Sequence, residues 1–323
     1  MQHRRLPALV IAVLSGLIFV VGAHAQVGSA LVAVPWQPGR TFDSTSYFYG
    51  LETSSEGTDF DTNLTKGVTF GRARFDGQNP AAMSVGWLYE HTDIDTDDPL
   101  LPDRLVSAAG AVGFSLGPIV PGWEIGASVG AGFAGDQPFS DEDAWYGVGS
   151  LYARHMIDQQ HFVTLILDYD GSRSIWPDIP LPGIQYTVLQ SRSLRYSVGL
   201  PFSTLYYQPD EHWTIDIQYI IPVAGRANIE YAFNDRWTAF GSYASSTRGY
   251  HLDGDDENRR LFFSQQRLET GVRYTMQRGV EWTLAGGWDF DQEFTRGWDT
   301  RNDEDVRELD DAPFVRVGLK VAF

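Results

Sequence analysis

Apolar side chains recur at every second position through most of this sequence. At the carboxyl end, "VRVGLKVAF" places Val315, Val317, Leu319, Val321 and Phe323 at alternate positions, with Arg, Gly, Lys and Ala between them. Successive side chains of a β-strand point to opposite faces of its sheet, so this spacing predicts a strand with one apolar face. About fourteen segments of roughly ten residues show the same alternation, and no segment after the first 25 residues keeps a helical period. The segments lie near 44–52, 66–75, 82–92, 104–116, 123–133, 143–155, 160–170, 193–207, 213–221, 227–233, 236–245, 262–276, 281–290 and 315–323.

The connections between these segments alternate in length. Every second connection is short, as in "MIDQQ" (156–160) and "NDR" (234–236), whereas most of the others are long and acidic, as in "TDIDTDDPLLPD" (92–103). A soluble β-sandwich with Greek-key connections gives no reason for this asymmetry. An up-and-down barrel of the bacterial outer membrane does, because it has short periplasmic turns and longer extracellular loops. Only "PVAG" (222–225) is short where a long connection is expected.

Aromatic residues collect beside the short connections. Four tryptophans begin a segment at or within three residues of a short turn, and four other aromatic residues end a segment at the same level. Rings gathered at one height of a barrel form the girdle that marks a membrane interface. The sequence therefore predicts an all-β, up-and-down antiparallel transmembrane β-barrel of about 12–14 strands over residues 42–323. The aromatic residues are Trp123, Trp213, Trp237, Trp282, Tyr207, Phe233, Tyr274 and Phe323.

The first 25 residues have the layout of a secretory signal peptide. A basic start, "MQHRR", precedes an apolar run, and Ala23 and Ala25 form an A-x-A cleavage site. The alternative is a retained membrane anchor, since the run approaches the ~18 residues that span a bilayer, but the cleavage site favours removal. We expect residues 1–25 to be a cleaved signal peptide and residues 26–41 to be a short periplasmic lead.

The charge and the composition exclude several partners and cofactors. The chain has 24 Lys and Arg against 42 Asp and Glu, a net charge of −18, which repels nucleic acid. It has no cysteine, so neither a disulfide framework nor a thiolate metal site is possible. We predict no cofactor. The acidic outer connections, near 93–98, 253–257 and 303–311, could hold Ca²⁺ or Mg²⁺ weakly, although "DIDTDD" lacks the residues of a calcium loop.

The last strand resembles that of the outer-membrane β-barrel superfamily, whose members typically end in an aromatic residue, most often Phe. The resemblance implies that Val317, Leu319, Val321 and Phe323 form the signal read by the barrel-assembly machinery. It also implies a place among the lipids of the bacterial outer membrane. The block "LRYSVGLPFSTLYYQPDEHWTIDIQYIIP" (194–222) resembles a family of uncharacterised barrels known only as a domain of unknown function. That likeness implies fold and location, and no activity.

The polar face of the predicted strands carries charges of both signs. Almost all the positive charge comes from arginine, which suits bidentate pairing with carboxylates across strands. Such pairs would either brace and fill the lumen or form a charged constriction that selects solutes, and the sequence favours neither. The predicted lumen-lining residues are Arg72, Arg195, Arg273, Arg316, Asp216, Glu230, Glu269 and Glu281.

Three functions fit this sequence. The leading one is porin-like, passive passage of small solutes through an Arg- and acid-lined lumen. The second is a closed structural or surface-interaction barrel with cation-binding acidic loops. The third is a lipid-modifying membrane enzyme, which would need a serine beside a histidine base. No catalytic residue is predicted, because no nucleophile motif accompanies the histidines, and "GAGFAG" (130–135) lies within a strand pattern, not at the start of a helix.

Overall fold

The structure is a computed structural model of the whole chain. It describes residue 31 and residues 40–54, 60–79, 82–220, 224–256 and 259–323, without the side chains of 118–120 and 305. The predicted signal peptide (1–25) and most of the predicted lead (26–41) lie outside the described residues. In the described part of the chain, no helix is long and apolar enough to cross a membrane.

Seventeen β-strands form one continuous antiparallel sheet. Each strand pairs with the next one along the chain, except that the last two both pair with the strand before them, so the order is up-and-down. The strands are β1 (Phe42–Ser54), β2 (Asp61–Arg74), β3 (Ser84–Thr96), β4 (Arg104–Val120), β5 (Trp123–Gly135), β6 (Trp145–Met156), β7 (His161–Asp170), β8 (Leu181–Val188), β9 (Leu194–Leu200), β10 (Phe202–Tyr207), β11 (Trp213–Ile220), β12 (Ala224–Ala232), β13 (Trp237–Tyr250), β14 (Arg260–Gln277), β15 (Val280–Gly297), β16 (Glu304–Leu309) and β17 (Ala312–Ala322).

The sheet closes on itself between its first and last strands. β1 pairs with β17 from Asp43–Ala322 to Leu51–Phe314, so neither edge is left open. β15 pairs with β16 near its outer end and with β17 along the rest, so these two form one interrupted strand and the barrel has sixteen. The prediction of an all-β, up-and-down antiparallel barrel is confirmed.

The strand number is sixteen, and not the predicted 12–14. Residues 193–207 are expected to form one strand but form β9 and β10, which turn at Pro201, where a ladder hydrogen bond has no donor. Residues 181–188 fall in a predicted long connection but form β8. Pro182 and Gly183 weaken the strand signal there, because both residue types are depleted in strands.

The strands differ in length around the barrel. β8–β12, which we call the low wall, have six to nine residues each. β13–β15, the tall wall, have 14 to 18 residues each. A membrane-crossing strand needs about 9–11 residues. In the low wall only β12 reaches this length, whereas the strands of the tall wall extend past it.

The outer surface is apolar, with an aromatic belt at the end of the short turns. Val315 is 63% exposed, and other large apolar side chains are exposed in the same outward register on all sides of the barrel. At the short-turn end, the rings of Trp213 and Tyr231 lie 4.8 Å apart, as do those of Trp237 and Tyr274. A closed barrel with an apolar band and an aromatic belt is the architecture of bacterial outer-membrane proteins. The protein is an outer-membrane β-barrel.

The carboxyl terminus is held at the seam of the barrel. The carbonyl oxygen of Phe323 accepts hydrogen bonds from Thr41 N at 2.6 Å and Phe42 N at 2.9 Å. The Phe323 N–H donates back to Phe42 O, and the two rings stack 5.4 Å apart. The chain can therefore end on an aromatic residue without fraying. Reading of Val317, Leu319, Val321 and Phe323 by the assembly machinery stays a prediction.

Candidate functional site

The inner face of the barrel is the candidate site. On β17, Val315 and Val317 are exposed toward lipid, and Arg316 between them points inward. Its guanidinium binds the Glu269 carboxylate in a bidentate pair, with Nε–Oε2 2.5 Å and Nη2–Oε1 2.6 Å. Because β15 separates β14 from β17, this pair runs along the inner surface across a whole strand.

All eight predicted lumen-lining residues lie on this inner face. Arg273 Nη1 lies 2.5 Å from Glu230 Oε1, and its Nε lies 3.9 Å from Glu281 Oε1. The Arg273 guanidinium also stacks over the Phe240 ring at 4.4 Å. These contacts tie β12, β14 and β15 together. Along the inner face, Glu230, Arg273 and Glu281 alternate in sign, as arginine–carboxylate bracing requires.

The other predicted residues lie near the periplasmic end of the interior. Arg195 on β9 stacks over the Tyr206 ring at 4.1 Å, and Tyr206 is the register partner of Asp216. Arg72 on β2 is the register partner of Asp43 on β1. Whether a solute passes along any of these side chains stays a prediction.

Several inner charges are absent from the sequence-based set. Arg267 binds Asp289 in a bidentate pair, with both N–O distances 2.7 Å, and stacks on Tyr49 at 3.9 Å and on Phe314 at 4.2 Å. The signal for it was present, since "QQRLETGVR" alternates Arg267 with Glu269 and Arg273. The basic residues absent from that set are Lys66, Arg154, Arg226, Arg248, Arg267 and Lys320.

An apolar cluster fills the outer half of the interior on one side. Leu261 and Phe294 have no exposed surface, and the Phe263 and Phe294 rings stack 4.5 Å apart. The contributing strands belong to β13–β17 and β1–β5, which meet at the seam. We call this part of the barrel the core side. The cluster contains Tyr49, Leu51, Leu64, Ile94, Leu101, Leu105, Ala134, Tyr250, Leu261, Phe263, Phe294, Leu309, Ala312 and Phe314.

β13 reaches β5 across the interior. The His251 N–H, just after β13, donates to Ala134 O at 2.9 Å, and His251 forms a parallel bridge with Gly135. Several strands separate β5 from β13 along the barrel wall in both directions, so this contact crosses the lumen. Burial lowers the pKa of His251, and the nearby Arg260 lowers it further.

A charged cluster lies next to this contact, on its periplasmic side. Glu90 on β3 pairs with Lys66 Nζ at 2.6 Å and with Arg248 Nη1 of β13 at 3.4 Å. The hydroxyl of Tyr250 also donates to Glu90 Oε1 at 3.4 Å. A carboxylate buried in this way needs such partners to stay ionised. The cluster therefore fastens β13 to the strands of the core side.

The opposite side of the interior, enclosed by β6–β12, has a different lining. We call it the low-wall side, because it consists of the low wall (β8–β12) together with β6 and β7. Its inward side chains include hydroxyls and amides beside charged and apolar groups, and hydroxyl pairs join neighbouring strands: Ser128–Ser150 and Thr187–Ser197, both at 2.8 Å. The half-buried polar side chains at inward register are Gln185, Thr204 and Thr214.

Leu31, which belongs to the predicted lead (26–41), lies inside the barrel. It is 1% exposed and packs against Ala111 of β4 and Val148 of β6, with Tyr146 beside it. Both partners face inward, at the register of Gly130 on β5. The sequence predicts a periplasmic position for residues 26–41 and contains no signal for a position of Leu31 inside the barrel.

Three histidine rings bind nearby carbonyl or carboxylate groups. His155 and His212 ring nitrogens bond the carbonyls of Gly122 and Ala232, and His161 pairs with Asp158 at 2.8 Å. Whether the barrel has an enzymatic activity stays open to test. Over the described part of the chain, no group of three or more His, Asp or Glu is arranged to hold a metal ion. The weak Ca²⁺ or Mg²⁺ binding expected of the outer loops stays a prediction.

No protein-family model matches the chain, and no curated protein sequence does. Among solved structures, it is similar to the Pseudomonas putida toluene transporter TodX, with 10% identity, 95% of each chain covered and a TM-score of 0.41. It is also similar to the Acinetobacter baumannii outer membrane protein Omp33, with 10% identity, 89% and 100% coverage and a TM-score of 0.35. For the KdgM porin, the values are 8%, 87% and 99%, and 0.29. With TM-scores below 0.5, these likenesses decide nothing about this chain, whose fold and site rest on its own geometry.

Proposed function

We propose that this barrel lets small hydrophilic solutes cross the outer membrane passively. The observation that carries the proposal is the inner face of β8–β12, where the half-buried hydroxyl and amide side chains Gln185, Thr204 and Thr214 lie on strands of six to nine residues. A solute that leaves water needs hydrogen-bond partners along its route, and this lining supplies them.

The charged network at the periplasmic end sets which solutes pass. Arg195 and Asp216 face the low-wall side, and the Glu230–Arg273–Glu281 group lies next to it. Charges of both signs in alternation give a solute of either sign an unfavourable neighbour. Uncharged and zwitterionic solutes meet no such penalty, so they form the class that this interior suits best.

The test is swelling of liposomes that contain the refolded protein. Neutral sugars and amino acids of increasing size are added outside, and the rate of swelling reports their uptake. We expect uptake that falls with solute size and exceeds that of a singly charged solute of similar size. Liposomes with heat-denatured protein give the background rate. Uptake at the background rate for every solute would refute passage.

A closed structural barrel is the second candidate. The apolar cluster around Phe294 and the position of Leu31 favour it, because both occupy interior space. It predicts a folded, heat-modifiable barrel in the outer membrane with no uptake. The swelling experiment separates the two candidates directly.

A further inference from the structure

We propose that the contact between β13 and β5 divides the outer half of the lumen, and that solutes pass only on the low-wall side. This inference rests on the proposed passage of solutes and gives its route. The core side then has a structural role, because its packed interior stabilises the tall wall, and the low-wall side is the pathway.

The first support is the backbone itself. The bond from His251 N to Ala134 O uses main-chain atoms at the ends of β13 and β5. A Cβ built on Gly135 would lie 3.1 Å from His251 O, so the two chains approach closely enough to leave no gap for a solute. Below this contact, the bonds of Glu90 with Lys66 and Arg248 continue the partition.

The second support is the difference between the two compartments. On the core side, the space next to the partition is filled by side chains with almost no exposed surface, including Tyr250, Leu261 and Phe294. An ion or a sugar would have to shed its water there without new partners, which blocks passage. On the low-wall side, inward Gln185, Thr204 and Thr214 keep part of their surface exposed.

The third support is a cavity at the outer end of the low-wall side. It has a volume of about 240 Å³ and is lined by Asp143 and Tyr146 from the start of β6, by Asp178 after β7, and by His251 and Arg260 at the partition. The cavity opens between outer connections and carries polar groups. It therefore forms the outer vestibule of this compartment.

Single-cysteine variants test the route, because the natural chain has no cysteine and gives no background labelling. Thr204→Cys and Gln185→Cys place a thiol on the low-wall side. Thr92→Cys and Ser107→Cys are the matched variants on the core side, where Thr92 and Ser107 are each 2% exposed. Each variant must first show heat-modifiable migration on a denaturing gel. Each is then treated with a charged, membrane-impermeant thiol reagent, and labelling is followed by mass.

We expect labelling of the low-wall thiols at least tenfold faster than labelling of the core-side thiols. Labelling should also lower solute uptake by twofold or more in Thr204→Cys and Gln185→Cys only. Fast labelling and loss of uptake in Thr92→Cys or Ser107→Cys would overturn the inference while leaving passage intact. If the unmodified barrel takes up nothing, the proposed function fails, and equal labelling rates on the two sides would still refute the partition by themselves.

Discussion

The two sides of this barrel use the same alternating strands for different purposes. On the core side, inward positions carry Phe263, Phe294 and the bidentate Arg267–Asp289 pair, and the interior is solid. On the low-wall side, inward positions carry hydroxyls and amides such as Gln185 and Thr204, and the strands are half as long. Strand alternation sets which residues point inward, and the size and polarity of those residues decide whether the interior is a core or a passage.

The largest expected difference between the sides concerns apolar packing. Phe294→Ala should destabilise the folded barrel by about 3–5 kcal/mol, because it leaves a cavity in a filled region. Phe202→Ala, at an inward but half-buried position of β10, should cost less than about 1.5 kcal/mol. Unfolding by urea, followed by tryptophan fluorescence in lipid vesicles, measures both. Equal losses would mean that the core side is not a core.

Ion pairs should show the next largest difference. Asp289→Asn removes the partner of Arg267 where Asp289 is fully buried, and leaving that charge unpaired should cost about 3 kcal/mol. Glu124→Gln breaks a longer, 3.5 Å pair with Arg154, which joins β5 to β6 at the border of the low-wall side. The Glu124 side chain is 46% exposed, so the loss should be under about 1 kcal/mol. The same unfolding experiment decides this. A Glu124 variant as unstable as the Asp289 variant would contradict the contrast.

Charge at the outer mouth should affect ion selectivity on one side only. The combined variant Asp141→Asn, Glu142→Gln and Asp143→Asn neutralises the connection beside the vestibule. The surplus acid of the outer connections should give the wild type a cation preference at low salt, and the combined variant should reduce it. The difference should vanish as salt screens charges over ~10 Å at 0.1 M. The control, Asp95→Asn with Asp97→Asn, changes exposed acids on the core side and should have little effect. Reversal potentials across a salt gradient provide the measurement, and an equal response from both variants would speak against a one-sided route.

The smallest expected effect comes from Leu31. It packs on the inward faces of β4 and β6, at the edge of the low-wall side, so Leu31→Ala removes a few buried atoms from the interior. We expect solute uptake to rise by less than about twofold, with a loss of stability near 1–2 kcal/mol. Phe48→Ala, on the lipid-facing side of β1, is the control and should leave uptake unchanged. Lower uptake in Leu31→Ala would show that this residue supports the passage.

Sequence alternation and turn lengths were enough to predict the barrel, the seam at Phe323 and the inward placement of residues such as Arg316. These features depend on neighbouring strands, and the period of two carries that information. The count of strands failed at β8 and at Pro201, where proline and glycine interrupt the pattern. The contact between β13 and β5 could not be predicted from the sequence. His251 and Ala134 are far apart in the chain, and no local pattern specifies the shape of the lumen that their contact crosses.

The most direct test of this account is single-channel recording of the refolded wild-type barrel in a planar bilayer, before and after labelling of Thr204→Cys and its matched variant Thr92→Cys. The account predicts discrete current steps for all three unlabelled proteins. After treatment with the thiol reagent, the steps of Thr204→Cys should shrink by twofold or more, and those of Thr92→Cys should not change. No current at any voltage, or block through Thr92→Cys, would contradict the claim that one side of the barrel is a core and the other a passage.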